Sequence, residues 1–123
     1  GGFDESFPYA GGEDSFLAYN LRQSGYCIRY CPDVRVHHPA RDSIPGFIRW
    51  QYKRGISSYL FARKISARRS YLSLRLWSTG NILRRYLRDV KFPLIVTLLA
   101  AGYTAQLCGY LRAYTNRSPA CTF

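Results

Sequence analysis

The stretch Tyr26-Cys27-Ile28-Arg29-Tyr30-Cys31-Pro32-Asp33-Val34-Arg35-Val36 decides how the sequence is assigned to a fold class. Tyr26, Ile28 and Tyr30 alternate with Cys27, Arg29 and Cys31, the period of two that sends successive side chains to opposite faces of a sheet. Pro32-Asp33 interrupts the run, and Val34 and Val36 then resume it, predicting a strand, a turn and a short second strand. Upstream, Ser24-Gly25 is a helix stop, and Phe16, Leu17 and Leu21 form a short helical pattern. Its first turn holds Glu13 and Asp14, where the helix dipole favours acids. Helix, strand, turn and strand together predict an α/β layer arrangement.

Downstream of His37-His38-Pro39 the pattern becomes helical. Ser43 is placed to cap a helix with Pro45 in its first turn and Ile44, Phe47, Ile48 and Tyr52 on one face. Gly55 predicts a break, after which a second helix runs through Tyr59, Leu60 and Ile65 with Arg63, Lys64, Arg68 and Arg69 on its other face. Ile82, Leu83, Tyr86, Leu87 and Val90 recur at three and four residues, and Arg84, Arg85, Arg88 and Lys91 fill the gaps, predicting a basic amphipathic helix. From Phe92 to Leu111 there is no charged residue, about the length needed to cross a bilayer, although Thr97, Thr104, Gln106, Gly102 and Gly109 interrupt it. This organisation divides the sequence into 1–42, a basic helical region 43–91, a hydrophobic membrane-associated or transmembrane segment 92–112 and a tail 113–123.

The net charge of +11 is distributed unevenly. Residues 1 to 42 carry four Arg against six Asp and Glu, whereas residues 43 to 123 carry fourteen Lys and Arg against Asp89 alone. A basic half of that kind suits fixed negative charge: anionic headgroups, a diphosphate substrate or nucleic acid. The four cysteines form no Cys-x-x-Cys pair and have no histidine at zinc-finger spacing. Cys27 and Cys31 read as small buried thiols of a reducing compartment. With no methionine and no leader, the sequence reads as a piece of a longer protein.

Two places carry candidate chemistry. Gly11-Gly12 lets the backbone approach a ligand, and Glu13-Asp14 follows with two carboxylates, one able to accept a proton and the other to orient an acceptor; the same pair also serves as ordinary helix capping. His37-His38, at the end of a strand-like stretch, has the donor chemistry of a metal ligand and equally that of a surface pair.

The runs Gly1-Gly2-Phe3-Asp4-Glu5-Ser6-Phe7, Gly12-Glu13-Asp14-Ser15-Phe16-Leu17, Leu21-Arg22-Gln23-Ser24-Gly25-Tyr26 and Cys31-Pro32-Asp33-Val34-Arg35-Val36-His37-His38 resemble the distal catalytic region of family-2 inverting glycosyltransferases. The resemblance covers about residues 1 to 42, and the basic helices with their hydrophobic C-terminal segment look like those of bacterial members working at the cytoplasmic face of the cell membrane. It implies the distal, acceptor-side part of a GT-A α/β fold, a nucleotide-sugar donor, a glycan or lipid-linked acceptor and a divalent metal, Mn or Mg. Asp14 matches the family's general base and Glu13 the acid that helps hold the acceptor beside Gly12. The family's histidine falls on His38, with His37 the neighbouring alternative, and in some members it joins the metal site. Processive members carry Gln-x-x-Arg-Trp. Here Arg49-Trp50 occurs with Gly46 in place of the Gln, which implies a non-processive enzyme. Arg49, Lys53 and Arg54 are the cations placed for a diphosphate or an anionic acceptor lipid. The family's Asp-x-Asp metal motif does not occur in these residues, so the piece alone is expected to be inactive. The competing readings are a small basic nucleic-acid-binding module and a non-catalytic membrane anchor. No recognisable nucleic-acid motif supports the first, and no nucleic-acid partner is expected.

Overall fold

The computed structural model describes residues 2–9, 11–37, 42–65 and 68–116. Four helices follow one another: α1 (Glu13–Gln23), α2 (Ile44–Lys64), α3 (Arg68–Tyr86) and α4 (Phe92–Thr115). The described residues contain no strand, so the α/β expectation, and with it the GT-A layer arrangement, is overturned. The reason is visible at residues 26–37. Pro32-Asp33 does turn, with Val34 N–H donating to Cys31 O at 3.4 Å, but no ladder forms across the turn. Tyr30 is 91% exposed and Val36 83% exposed, and Cys27 and Cys31, read as buried thiols, lie open to solvent. Alternation sets which side chains share a face, but a strand exists only where a second one accepts its hydrogen bonds.

α1 forms where the sequence places it. Gly12, at φ +107°, is its N-cap, Glu13 and Asp14 occupy the first turn, and Ser24 closes it before Gly25 at φ +83°. α2 begins at Ser43, whose hydroxyl accepts from Gly46 N–H at 3.3 Å, with Pro45 in the first turn as expected.

Gly55 does not break α2, which runs 21 residues through it. Its role lies in packing. A Cβ at Gly55 would sit 2.0 Å from Gln106 O, one at Gly109 would sit 2.1 Å from Tyr52 O, and one at Gly102 would meet Gln51 and Phe47. Gly55 and Gly109 thus let α2 and α4 touch backbone to backbone, Gly102 makes room for the Gln51 and Phe47 side chains, and this gain in contact outweighs the ~1 kcal/mol that a glycine costs inside a helix. The pairs Gln51–Gly102, Gly55–Gln106 and Tyr59–Tyr110 advance together along both helices, so α2 and α4 run parallel. α3 returns beside α4 in the opposite sense, with Arg75 beside Gln106 and Thr79 beside Tyr103.

The amphipathic helix expected around Ile82–Val90 also ends early. α3 stops at Tyr86, and Asp89 takes over: its N–H donates to Tyr86 O, its carboxylate accepts from Lys91 N–H at 2.8 Å, and Phe92 N–H donates to its carbonyl. A short side-chain acceptor competes with the helix ladder here, and Pro93 then starts α4. α4 is long and apolar enough to cross a membrane, and only 17% of its most apolar window is buried.

At the far end of α2, Phe7, Phe61 and Ile65 form a small core with Phe16, Tyr19 and Leu60. The Phe16 ring meets Phe61 edge-on at 6.4 Å and Phe7 at 5.9 Å. Lys64 closes it from outside, donating to Asp4 at 2.5 Å and to Ser6 Oγ at 2.7 Å while lying over the Phe7 and Phe16 rings. The sequence pattern places Lys64 on an outer basic face; in the fold it fastens the N-terminal segment to α2. The hydrogen bond from Lys64, then those from Ser6, lower the Asp4 carboxyl to a pKa of about 2.

Candidate functional site

The core of Phe7, Phe16 and Phe61 holds the start of α1 against α2, and this fixes where Asp14 lies. Gly12 is pressed between Phe7 and α2: a Cβ there would lie 3.3 Å from the Phe7 ring and 3.6 Å from the Ser57 side chain. Gly11, at φ +147°, rests on the aliphatic stem of Arg54, 3.6 Å from where its Cβ would be. The close backbone approach that Gly11-Gly12 permits is therefore made to α2, and it places the first turn of α1 over the middle of that helix.

The result is a cleft of about 440 Å³ lined by Gly11, Gly12 and Asp14 from the first segment, Trp50 and Arg54 from α2, and Arg75 from α3. Arg54 stacks on the Trp50 ring with its guanidinium 4.7 Å from the ring centre. Arg75 Nη1 donates to Gln106 Oε1 at 2.6 Å, and Gln106 Nε2 donates to Gln51 Oε1 at 2.6 Å. A polar chain thus runs from the cleft across α4 to α2. It also accounts for a glutamine in an otherwise apolar helix: its amide is satisfied from both sides. Thr97 and Thr104 donate to the Pro93 and Ala100 carbonyls within α4 itself.

The two acids of the Glu-Asp pair have different surroundings. Glu13 accepts from Gly11 N–H, so its carboxylate is occupied with its own loop and does not line the cleft. Asp14 Oδ1 accepts from Ser15 N–H at 2.7 Å, and its side chain is exposed on the cleft wall. One carboxylate and two guanidiniums give the cleft a net positive lining. Such a lining suits a ligand with an anionic group and a hydroxyl for Asp14 to contact.

The basic residues divide in the same way. Arg54 joins Asp14, whereas Arg49 lies in a hollow on the other side of the α2–α4 seam, with Ile44, Ile48, Tyr52, Ala105 and Cys108. Lys53 lies over the Tyr9 ring at 4.9 Å. Arg75 was missed by sequence reasoning; its only signal is a single arginine among the apolar residues of Leu74-Arg75-Leu76-Trp77. His38 lies outside the described residues, and His37 is exposed in the extended stretch. Among the described residues no three His, Cys, Asp or Glu side chains converge as a metal cage. No family model, curated protein or solved structure matches the chain.

Proposed function

We propose that the cleft is the acceptor side of an inverting sugar transfer from a nucleotide-diphosphate donor, with Asp14 as general base. The observation that carries this reading is the convergence of Asp14, Gly12, Arg54 and Arg75 from three separate segments on one cleft. Asp14 takes the proton of an acceptor hydroxyl. The freed oxygen forms a bond to the anomeric carbon while the bond to the diphosphate oxygen breaks on the opposite face, so configuration inverts and the nucleoside diphosphate departs with the electron pair. Arg54 and Arg75 offset negative charge on the reactants, which matters most where the cleft wall excludes water. Glu13 acts at one remove by holding the Gly11 loop.

The same reading puts the protein at the cytoplasmic face of a bacterial membrane, with α4 lying along the interface. Val96, Tyr103, Leu107, Leu111 and Tyr114 make an exposed apolar stripe on α4. Spanning would draw α2 in as well, because the two backbones touch at Gly55 and Gly109. α2 carries Arg49, Lys53 and Arg54, each costing roughly 2.5–3.5 kcal/mol at the centre of a bilayer. An interfacial position avoids that cost and leaves Arg84, Arg85, Arg88 and Lys91 for anionic headgroups.

The test is sugar transfer in membranes from cells producing the intact protein. Asp14→Asn is expected to lower turnover by about 10²–10⁴-fold with donor binding kept, the range for loss of a positioned base. Near-normal turnover would remove the base assignment and favour a non-catalytic anchor. Salt-dependent retention on DNA, with none on anionic vesicles, would favour a nucleic-acid module instead.

A further inference from the structure

The two guanidiniums that line the cleft are each held by a neutral group. Arg54 lies on the Trp50 ring, its guanidinium 4.7 Å from the ring centre. Arg75 Nη1 donates to Gln106 Oε1 at 2.6 Å. That second contact fixes a direction. A guanidinium only donates, so the Gln106 atom facing it is the amide oxygen. Gln106 Nε2 is thereby turned to Gln51, whose Oε1 accepts at 2.6 Å, and Gln51 Nε2 lies against Gly102, where an added Cβ would stand 2.8 Å away. Three helices thus form one relay: α3 supplies Arg75, α4 supplies Gln106 and Gly102, and α2 supplies Gln51. The two glutamines stand behind the cleft, in a hollow of about 230 Å³ that shares Trp50, Arg54, Arg75 and Ser78 with it. Leu76 and Trp77, which follow Arg75 on α3, are 75% and 66% exposed, so packing by these two does not locate this turn of the helix. Hydrogen bonds to α4 do, from Arg75 to Gln106 and, one turn on, between Thr79 and Tyr103.

From this relay we infer, on the reading of the cleft given above, that Gln106 is a positioning residue for the anionic group that the cleft receives. It holds the Arg75 guanidinium in the cleft wall before the ligand arrives, and Gln51 holds Gln106. The chemistry of the holder matters. A carboxylate at 106 would orient the guanidinium equally well but offset its charge, whereas an amide orients it and leaves the charge for a ligand. The anchor uses one of the five N–H donors of a guanidinium, so it does not consume the group. An arginine that has to be ordered during binding loses roughly two- to tenfold in affinity, and the relay removes that loss in advance. Gln106 therefore serves the cleft although it does not line it.

The test is a calorimetric titration of the 123-residue chain with inorganic pyrophosphate at fixed ionic strength. Arg75→Met is expected to weaken binding about ten- to hundredfold, the range for a lost hydrogen bond to a charged group. Gln106→Met, similar in size but without the amide, should weaken it about three- to tenfold, and Gln51→Met, which loosens Gln106 at one remove, about twofold. Added to Arg75→Met, Gln106→Met should bring no further loss, because both act through one group. Tyr110→Leu is the control for stability. It removes the ring that Tyr59 meets edge-on and loosens the same seam away from the relay, so its affinity should equal the parent's. Parent-like affinity in folded Gln106→Met would overturn the inference, as would an equal loss in Tyr110→Leu, a full further loss in the double variant, or no pyrophosphate binding by the parent. Should Gln106→Met not fold, Gly102→Ala, which crowds the Gln51 amide, takes its place beside Gln51→Met, and parent-like affinity in both would overturn it. The two readings fail separately. If Asp14→Asn abolishes transfer while Gln106→Met binds pyrophosphate like the parent, the positioning role is wrong and the base assignment stands. If Gln106→Met weakens binding but Asp14→Asn turns over normally, the relay stands and the base is wrong.

Discussion

The seam between α2 and α4 and the extended stretch at residues 26–37 lie at opposite extremes of how this chain uses its neighbours. Along the seam, Gly55 and Gly109 bring two backbones into contact, Gly102 makes room for Gln51 and Phe47, Gln106 donates a hydrogen bond to Gln51, and Tyr59 meets Tyr110 edge-on at 5.3 Å. In the stretch, Tyr26, Ile28, Tyr30, Val34 and Val36 are all exposed, and their alternation meets no opposing strand. Both regions follow their local preferences. They differ in having a partner, and partners set energies: a side chain added to the seam must displace backbone, while one removed from the stretch displaces only water.

That contrast can be broken by mutation. Gly55→Leu, or Gly109→Leu, is expected to cost about 3 kcal/mol or more, because neither helix can yield without separating from the other. A thermal melt within a few degrees of the parent would mean that the seam is not close-packed. Gln106→Leu should cost about 1–3 kcal/mol by taking away the acceptor used by Arg75 and the donor used by Gln51, and the amide signal of Gln51 should shift in NMR spectra.

A third test concerns the N-terminal fastening. The Asp4 pKa is lowered from 3.8 to about 2, so the folded state favours the ionised form; its contribution is complete above about pH 4 and lost as the pH falls through about 2. Proteolytic release of residues 2–9 should rise across that window in the parent. Lys64→Met should flatten the rise, and an unchanged pH profile in that variant would remove the ion pair from the account. The smallest effect belongs to the extended stretch, where Tyr30→Ser or Val36→Thr should change stability by no more than about 0.5 kcal/mol. A larger loss would show that these side chains are covered in solution.

The same comparison explains what was legible in the sequence. α1, the Ser43 cap, the Pro45 start and the apolar run from Phe92 are local features whose capping and composition signals are contained within a few residues, and all appear in the fold. Gly55 was misread because its justification lies 51 positions away at Gln106, beyond any local pattern. The helix expected through Val90 failed where Asp89 offered the backbone a competing acceptor. The strands failed for want of a partner. Of the candidate site, Gly12, Asp14 and Arg54 line one cleft. Glu13 turns to Gly11, Arg49 falls on the other side of the seam, and Arg75 enters only because α3 folds back beside α4. A side chain's own helix can be read from nearby residues, but the cleft that it faces cannot.

The parallel pairing of α2 and α4 also bears on synthesis. Gln51 and Gln106 are 55 positions apart in sequence. At ~5–20 residues per second of translation, α2 waits about 3–11 s for the helix that covers its glycine face. During that interval Phe47, Tyr52 and Tyr59 lack the helix that covers them in the fold, which opens nascent α2 to capture by other apolar surfaces.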